Sequence, residues 1–349
     1  MQFLKTIAVV GTFGAAMAMS SGAFAGCADN PDGDYCKLAG SNPETPIGTK
    51  WWPHPIWGAG DEAGSTNWYK QPEVVMRALA TIKTGMTMEI GHEYHADMPL
   101  FGARKFSLRI PGTPTGGAFG PNAIMWNDEF LATEVGQVGT QFDGLGHIGV
   151  QVGAAGDKNE MRWYNGFTAA EMGNPYGLNK LGTEELHPII ARGTLIDIAA
   201  IWDGDMVAGD TITMDHVNAA LKAQGMSDYK IMDGDAVVFR TGWEQHWEDP
   251  ATYNAGCPGI GMEVAKWIAD GNAGITAGDT WPVDSVPNPD PDCVFCVHQF
   301  LQTKNGIVNH ENLRLAELAA AGVYRFAYFF APAPIRGATG AMGAPVAMW

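Results

Sequence analysis

The chain has 349 residues, of which 46% are hydrophobic and 17% are charged, and its formal net charge is −17. This hydrophobic content excludes an intrinsically disordered chain, and the length is sufficient for a domain with a full core. The negative charge disfavours nucleic acid and anionic membranes as partners, because both repel an acidic surface. We therefore expect a globular protein whose partner is a small-molecule substrate.

The first 25 residues have the pattern of a cleaved export signal. Lys5 supplies a positive start, residues 6–19 are an apolar run, and an Ala-Phe-Ala sequence ending at Ala25 matches the small-x-small cleavage pattern. The apolar run is shorter than the roughly 20 residues that a membrane span needs, which disfavours a membrane anchor. We predict that residues 1–25 are a signal peptide, that the mature protein is periplasmic or secreted, and that it has no membrane partner after cleavage.

Residues 26–55 are rich in Gly, Pro, Asn and Asp, which predicts an irregular N-terminal arm. The rest of the chain, residues 56–349, contains no repeat and no low-complexity linker. We therefore predict one domain over residues 56–349.

Helical and strand patterns alternate along this domain. Helices are predicted where apolar residues recur at helical spacing, and strands where β-branched or aromatic runs lie between turn residues. In chain order the predicted elements are a helix from Gln71 with a stop at Gly85, strands over 87–91 and 106–110, a capping box at 168–171, a strand over 194–198, a helix over 214–224, a strand over 236–241, helices over 262–269 and 313–321, and a strand over 324–330. This mixture predicts an α/β fold.

The five cysteines can form disulfides in an oxidising compartment. Cys27 with Cys36, and Cys293 with either Cys296 or Cys257, are candidate pairs, and the sequence does not determine which pairs form. The Cys293-Val-Phe-Cys296 segment also matches redox and zinc motifs, but one such motif alone is weak support for either. We favour a structural bridge there.

The densest group of polar residues runs from Gln137 to His147. In an extended segment Gln137, Gln141 and Asp143 are separated by even numbers of residues, so their side chains share one face. Oxygen donors followed by an imidazole suit a divalent cation such as Mn or Zn. By spacing alone, however, a polar turn in which Asp143 caps a backbone amide is the better interpretation, because two Gln side chains are poor anchors.

A second candidate pair is His298 and Glu311, with His310 beside the glutamate. A helix or turn that begins at His298 and returns at Gly306 would bring the pair together, and a His with a carboxylate can bind a metal ion. The alternative is a surface histidine and a carboxylate in the first turn of a helix, where the helix dipole favours it. Taken alone, this pair favours the alternative.

His92 and His95 form a third group. Because they are three residues apart, they would face opposite sides of a strand, and only a role in lining the substrate pocket is assigned to them. The sequence has no nucleophile elbow, no P-loop and no dinucleotide fingerprint after a strand. Acyl-serine, phosphate and dinucleotide chemistry therefore have no support.

Taken together and in order, these segments resemble the cyclase family, which contains kynurenine formamidase and isatin hydrolase. The family signature His-x-Gly-Thr-His-x-Asp-x-Pro-x-His is matched by Gly139, Thr140, Asp143 and His147 at the correct spacing. The other similar segments are Asp61–Asn67, Arg192–Asp197, Gly234–Trp243, Gly278–Thr280 and His298–Leu313. The resemblance implies a swivelling β/β/α architecture with a mixed-sheet core, one or two metal ions, and a homo-oligomer.

The resemblance also assigns roles to individual residues. It implies that Asp143, His298 and Glu311 are at metal-ligand positions and that His147 is the catalytic histidine. The first two histidines of the family signature are Gln137 and Gln141 here, and the proline is a leucine. Amide oxygens in place of imidazoles favour a single Mn ion over a two-zinc site, with both glutamines completing or bordering the metal shell.

The expected function is metal-assisted hydrolysis of an amide-type C–N bond, in a linear aryl formamide or a cyclic amide. His147 would take a proton from water and return it to the leaving nitrogen. One alternative is a periplasmic binding protein or a catalytically inactive relative, which the two glutamines favour. Another alternative is a lyase or dehydratase that uses the same metal site.

Overall fold

A computed structural model describes residues 44–349. The predicted signal peptide at 1–25, the first part of the predicted arm and the candidate Cys27–Cys36 pair lie outside the described residues. The last part of the arm, residues 44–55, forms turns and bends rather than regular elements. Its Trp51 side chain is buried in the core, and Trp51 Nε1 donates a hydrogen bond of 3.0 Å to the carbonyl of Trp163.

The described part of the chain forms seventeen strands and seven short α-helices. The strands are β1 Thr87–Glu89, β2 Phe106–Arg109, β3 Gly116–Phe119, β4 Ile124–Trp126, β5 Phe130–Thr133, β6 Gln141–Asp143, β7 Val150–Gln151, β8 Met161–Arg162, β9 Ile189–Asp197, β10 Thr211–Ile212, β11 Ala236–Arg240, β12 Gly259–Ile260, β13 Ile275–Gly278, β14 Val308–Glu311, β15 Arg325–Phe330, β16 Gly340–Met342 and β17 Val346–Met348. The helices are α1 Pro72–Leu79, α2 Ala169–Met172, α3 Met214–Ala223, α4 Pro250–Tyr253, α5 Met262–Asp270, α6 Cys296–His298 and α7 Ala316–Ala320. A π-helical turn over Gln299–Lys304 continues α6, and 3₁₀ turns form over Gly64–Lys70, Tyr164–Gly166, Thr183–Glu185 and Trp243–His246.

Nine of these strands form one mixed sheet in the order β1-β17-β15-β9-β11-β13-β14-β6-β16. The four central strands β9, β11, β13 and β14 are parallel, and antiparallel strands extend the sheet on both sides. Helical crossovers such as α3 and α5 connect the parallel strands, as parallel pairing requires. The predicted α/β fold with a mixed-sheet core is confirmed.

The central strands are buried on both faces. In β11, Val237 and Phe239 pack in a core cluster with residues of α3 and α5, while Ala236 and Val238 belong to a second cluster on the other face. This burial on both sides explains why β11 is a continuous apolar run rather than an alternating one. Within residues 44–349, no helix has the length and apolar character that a membrane crossing requires.

Two predicted helices are shorter in the structure. The first ends at Leu79 instead of continuing towards Gly85, because the backbone N–H groups of Thr81 and Ile82 bond three residues back and the Thr81 hydroxyl donates to the carbonyl of Ala78. The helix predicted over 313–321 begins only at Ala316, since the backbone N–H of Leu313 bonds to the carbonyl of Gly278.

The predicted capping box is present, with the Thr168 side chain accepting from the N–H of Glu171. A disulfide joins Cys293 to Cys296, the bridge that the sequence favoured, and Cys257 is a free, buried thiol. Cys296 of this disulfide is the first residue of α6, and the helix ends two residues later at His298. The disulfide therefore constrains the segment that presents His298.

Candidate metal centre

Two neighbouring antiparallel strands, β6 and β14, position three side chains on one face of the sheet. Their register sets Gln141 opposite Glu311 and Asp143 opposite Asn309. Residues two apart on a strand share a face, and directly opposite residues also share it, so Gln141, Asp143 and Glu311 point the same way. The Gln141 amide confirms this arrangement by donating a hydrogen bond of 2.8 Å from Nε2 to Glu311 Oε2.

Helix α6 brings His298 over this face. Its Nε2 atom lies 2.8 Å from Glu311 Oε1 and 3.6 Å from Asp143 Oδ2. One ligand atom from each of the three side chains lies within 4.8 Å of the other two, and all three residues are buried. Two segments that are separated by more than 150 residues in sequence therefore meet at one point.

The donor atoms of this cluster suit a divalent cation. Asp143 Oδ2 and Glu311 Oε1 are buried and have no hydrogen-bond partner among the described residues. Glu311 Oε1 and His298 Nε2 are within ion-pair distance, but their contact lacks the alignment of a hydrogen bond, and we interpret it as two ligand atoms facing a common centre. Two carboxylate oxygens and one imidazole nitrogen are suitable ligands for Mn or Zn.

The orientation of His298 is set by Asp284. The Asp284 Oδ2 atom lies 2.5 Å from His298 Nδ1, and Oδ1 accepts a hydrogen bond of 2.8 Å from the backbone N–H of Val297. Because Nδ1 is engaged there, Nε2 is left to face Glu311 and Asp143. A carboxylate on the far ring nitrogen is the usual support of a metal-binding histidine.

Both predicted glutamines lie at the site, where their N–H groups contact the carboxylates. Gln137 Nε2 donates to Asp143 Oδ1 at 2.7 Å, and Gln137 Oε1 accepts from Arg104 at 2.7 Å. Gln141 bonds Glu311 in the same manner. The two amides thus hold the carboxylates in place, and direct binding of a metal by their oxygens stays a prediction.

The charged groups of the cluster shift one another's pKa values. Burial opposes the charge of Asp143, but His147, His298 and Gln137 outweigh it and bring the pKa of Asp143 below its usual range. Burial, aided by the charge of Asp143, raises the pKa of Glu311 to about 7. Burial opposes the charge of His298 as well, yet its carboxylate neighbours raise the pKa of its imidazole. A cation that binds here would therefore displace a proton from this cluster.

His147 stands beside the cluster, with Nε2 3.7 Å from Asp143 Oδ2. Burial lowers the pKa of His147 below its usual value, and the charges of His298 and Arg104 act in the same direction, while Asp143 opposes them. The imidazole is consequently neutral at neutral pH. A neutral imidazole next to a metal site can accept a proton from water.

A cavity of about 190 Å³ opens onto these residues. Its polar floor contains His147, His298 and Glu311, and its walls are largely aromatic. The ring of Phe101 stacks on Trp281 with centroids 4.5 Å apart, and Phe295 meets Trp281 edge-on at 6.0 Å. Such a cavity suits a small planar molecule.

His92 and His95 are not among the residues that line this cavity. His92 is buried and stacks on Trp247 with centroids 3.9 Å apart, so its ring belongs to the core. The backbone carbonyl of His95 accepts from the N–H of Met98, and the structure gives its ring no contact with the cavity. The two histidines therefore do not line this cavity, and their role in lining a substrate pocket stays a prediction.

The sequence alone does not point to Asp284, Arg104 or the aromatic walls. Asp284 lies in a loop after β13, outside every motif, and nothing in its spacing separates it from the other acidic residues. A carboxylate that contacts the far nitrogen of a metal-binding histidine is expected in general, but the sequence does not indicate which residue provides it. His310, beside Glu311, faces away from the site and contacts the Tyr328 hydroxyl through Nδ1 at 2.7 Å.

Fold and site together define an α/β protein with a buried Asp-His-Glu cluster suited to a divalent cation, at the end of an aromatic cavity. The family model described as "Putative cyclase" matches residues 88–285, more than half of the chain. The protein belongs to this cyclase family.

Solved structures with the same fold include a protein described as a novel cyclase, with a TM-score of 0.70 and 28% identity over 84% of this chain and 96% of that chain. Isatin hydrolase A from Ralstonia solanacearum has a TM-score of 0.54 and 18% identity over 79% of this chain and 95% of its own. Isatin hydrolase A from Labrenzia aggregata, bound to benzyl benzoate, has a TM-score of 0.52 and 17% identity over 77% of this chain and 94% of its own. No curated protein matches the chain.

Proposed function

We propose that this protein is a metal-dependent hydrolase that cleaves an amide-type C–N bond, in a linear aryl formamide or a cyclic amide. The observation that carries the proposal is the meeting of Asp143, His298 and Glu311, a cluster that reaches the cavity through His298 and Glu311. Asp143 and Glu311 each have a buried oxygen without a hydrogen-bond partner among the described residues. Membership of the cyclase family and the fold shared with two isatin hydrolases add support.

In this proposal Asp143, His298 and Glu311 hold the cation, with Mn or Zn as the candidates. When bound, such a cation supplies Lewis-acid activation of water and of the scissile carbonyl. His147, which is neutral, accepts a proton from the attacking water and delivers it to the leaving nitrogen. A linear formamide then gives a carboxylic acid and an amine, and a cyclic amide opens to one molecule that carries both groups.

The remaining residues of the cavity keep this arrangement in place. Asp284 fixes the ring of His298, and Gln137 and Gln141 fix the two carboxylates through their N–H groups. The Phe101 and Trp281 rings would lie against a flat substrate and exclude bulk water from the scissile bond.

We further propose that the protein acts in the periplasm or outside the cell and forms a homo-oligomer. The export-signal pattern of residues 1–25 supports the first statement. The resemblance of the motifs to those of the cyclase family supports the second.

The test begins with metal analysis of the purified full-length protein, before and after supplementation with Mn or Zn. We expect a bound divalent ion, together with turnover of N-formylkynurenine or isatin that is lost on chelation and restored by the ion. A protein that binds neither metal after supplementation would contradict the proposal and favour a binding protein or an inactive relative. Product analysis separates hydrolysis, which adds water, from a lyase reaction, which does not.

A further inference from the structure

The cavity contains one permanently charged side chain, Arg104, to which the proposed hydrolysis assigns no contact with the substrate. Its Nη2 atom donates to Gln137 Oε1 at 2.7 Å, and its guanidinium lies 5.5 Å from the centroid of the Phe101 ring. Within the described part of the chain, Arg104 forms no ion pair with a carboxylate. Most of its N–H donors therefore remain uncommitted beside the cavity.

Some other half-buried arginines are neutralised by acids, although Arg162 and Arg325 have no ion pair among the described residues. Arg192 is paired with Asp235, and Arg240 is paired with Asp197 at 2.9 Å. Arg104 instead bonds a neutral amide oxygen, at the edge of a cavity with an aromatic wall. A guanidinium in such a position can bind a carboxylate through two parallel N–H groups.

We propose that Arg104 is a specificity-determining residue that binds a carboxylate on the substrate, so that the preferred substrates are aromatic amides carrying an acid group. The inference rests on the proposed function, because it takes the cavity as the active site. A net charge of −17 repels anionic molecules from the protein as a whole. A local cation is therefore the group that would admit an acidic substrate to this cavity.

A second role for Arg104 must be distinguished from this one. Arg104 bonds Gln137, and Gln137 bonds Asp143, so the arginine could act only by holding the amide against the carboxylate. Loss of such a positioning contact would reduce the turnover of charged and neutral substrates alike. Loss of a substrate contact would affect the charged substrate alone.

The experiment compares two matched substrates, 3-formamidobenzoate and its neutral analogue 3-formamidobenzamide, with the Mn-loaded full-length protein. The variants are Arg104→Gln, which removes the charge, and Arg104→Lys, which keeps it, with Arg109→Gln on the exposed surface of β2 as the control. We expect Arg104→Gln to lower kcat/KM for the benzoate about 10- to 100-fold, mainly through KM, and to leave the benzamide within about twofold. Arg104→Lys should recover part of the loss, and Arg109→Gln should match the wild type.

Equal losses on both substrates, or no loss on either, would overturn the proposal. Binding of 3-aminobenzoate and 3-aminobenzamide to the metal-free protein, followed by tryptophan fluorescence, tests the same inference without turnover. Wild-type protein should prefer the benzoate, and high salt should weaken that preference. If the Mn-loaded protein hydrolyses neither substrate but the Arg104-dependent preference in binding persists, the proposed function fails and the anion site stands. No preference in wild-type binding would overturn the anion site itself.

Discussion

Replacing Asp284 by Asn tests whether the His298 ring is held for metal binding. The carboxylate of Asp284 accepts from His298 Nδ1 at 2.5 Å and from the backbone N–H of Val297 at 2.8 Å. An asparagine keeps one oxygen for the Val297 N–H, so the loop retains that contact. It loses the negative charge that fixes the ring and makes Nε2 a stronger ligand.

The size of the effect follows from the geometry of the site. Loss of a carboxylate behind a metal-binding histidine weakens metal affinity about 10- to 100-fold, or about 1.4–2.8 kcal/mol. Asp143 and Glu311 would still hold the cation, so binding should weaken without disappearing. The substitution should therefore change affinity by one to two powers of ten, roughly, rather than abolish it.

Metal affinity can be measured by competition with a chromophoric chelator, using Mn or Zn and the full-length protein. Asp270→Asn is the matched control, because Asp270 lies on the surface of α5 and, within residues 44–349, pairs with Lys266 alone. A variant at position 284 that folds normally and binds metal as tightly as wild type would refute the assignment of His298 as a ligand.

Three further predictions follow from the same site and from the core. His147→Ala should lower the rate of hydrolysis about 100- to 10,000-fold, because this residue transfers protons. The metal content should stay at the wild-type level, because His147 does not hold the ion. Unchanged turnover of N-formylkynurenine and isatin would remove its assigned role. Chelation should lower the melting temperature, because an ion that binds only the folded protein stabilises it. At a free ion concentration of 100 times Kd, the added stability is about 2.7 kcal/mol. Equal melting temperatures with and without chelator would contradict a metal site in the folded protein. Burial, aided by the charge of Arg314, lowers the pKa of His92 in the folded protein to about 4. As the pH falls from 6.5 to 4, His92 therefore becomes protonated in the unfolded chain before it does so in the folded protein. The free energy of unfolding falls by up to about 3 kcal/mol over this window. His92→Phe keeps the ring stack on Trp247 and should therefore show a weaker decline of unfolding free energy over that pH window in denaturant titrations; parallel curves for both proteins would contradict this.

The fold was largely predictable because its central elements follow simple patterns. The apolar run of β11 and the capping box at Thr168 both depend on neighbouring residues, so local chemistry determines them. Errors arose where distant contacts decide the backbone. The residues before α7 bond to β13 instead of forming another helical turn, because the N–H of Leu313 meets the carbonyl of Gly278.

Some residues of the candidate site could likewise be predicted from the sequence, and others could not. Asp143, His298 and Glu311 could be selected through the family motif. Spacing alone favoured a polar turn for Asp143, a surface position for His298 and the first turn of a helix for Glu311. Asp284 could not be selected, since its partner is recognisable only after the loop has folded over α6. The surroundings of His92 could not be predicted for a related reason: the sequence does not reveal the Trp247 ring that stacks on it.

The pairing of β6 with β14 has a consequence for the order of events during folding. These strands are 165 or more residues apart along the chain, and the ligand set is incomplete until they are adjacent. Contacts of such long range form slowly, because a large loop must close before they contribute energy. An ion would therefore not nucleate folding, because it would bind only after the two strands have paired. It would slow unfolding and leave the refolding rate nearly unchanged.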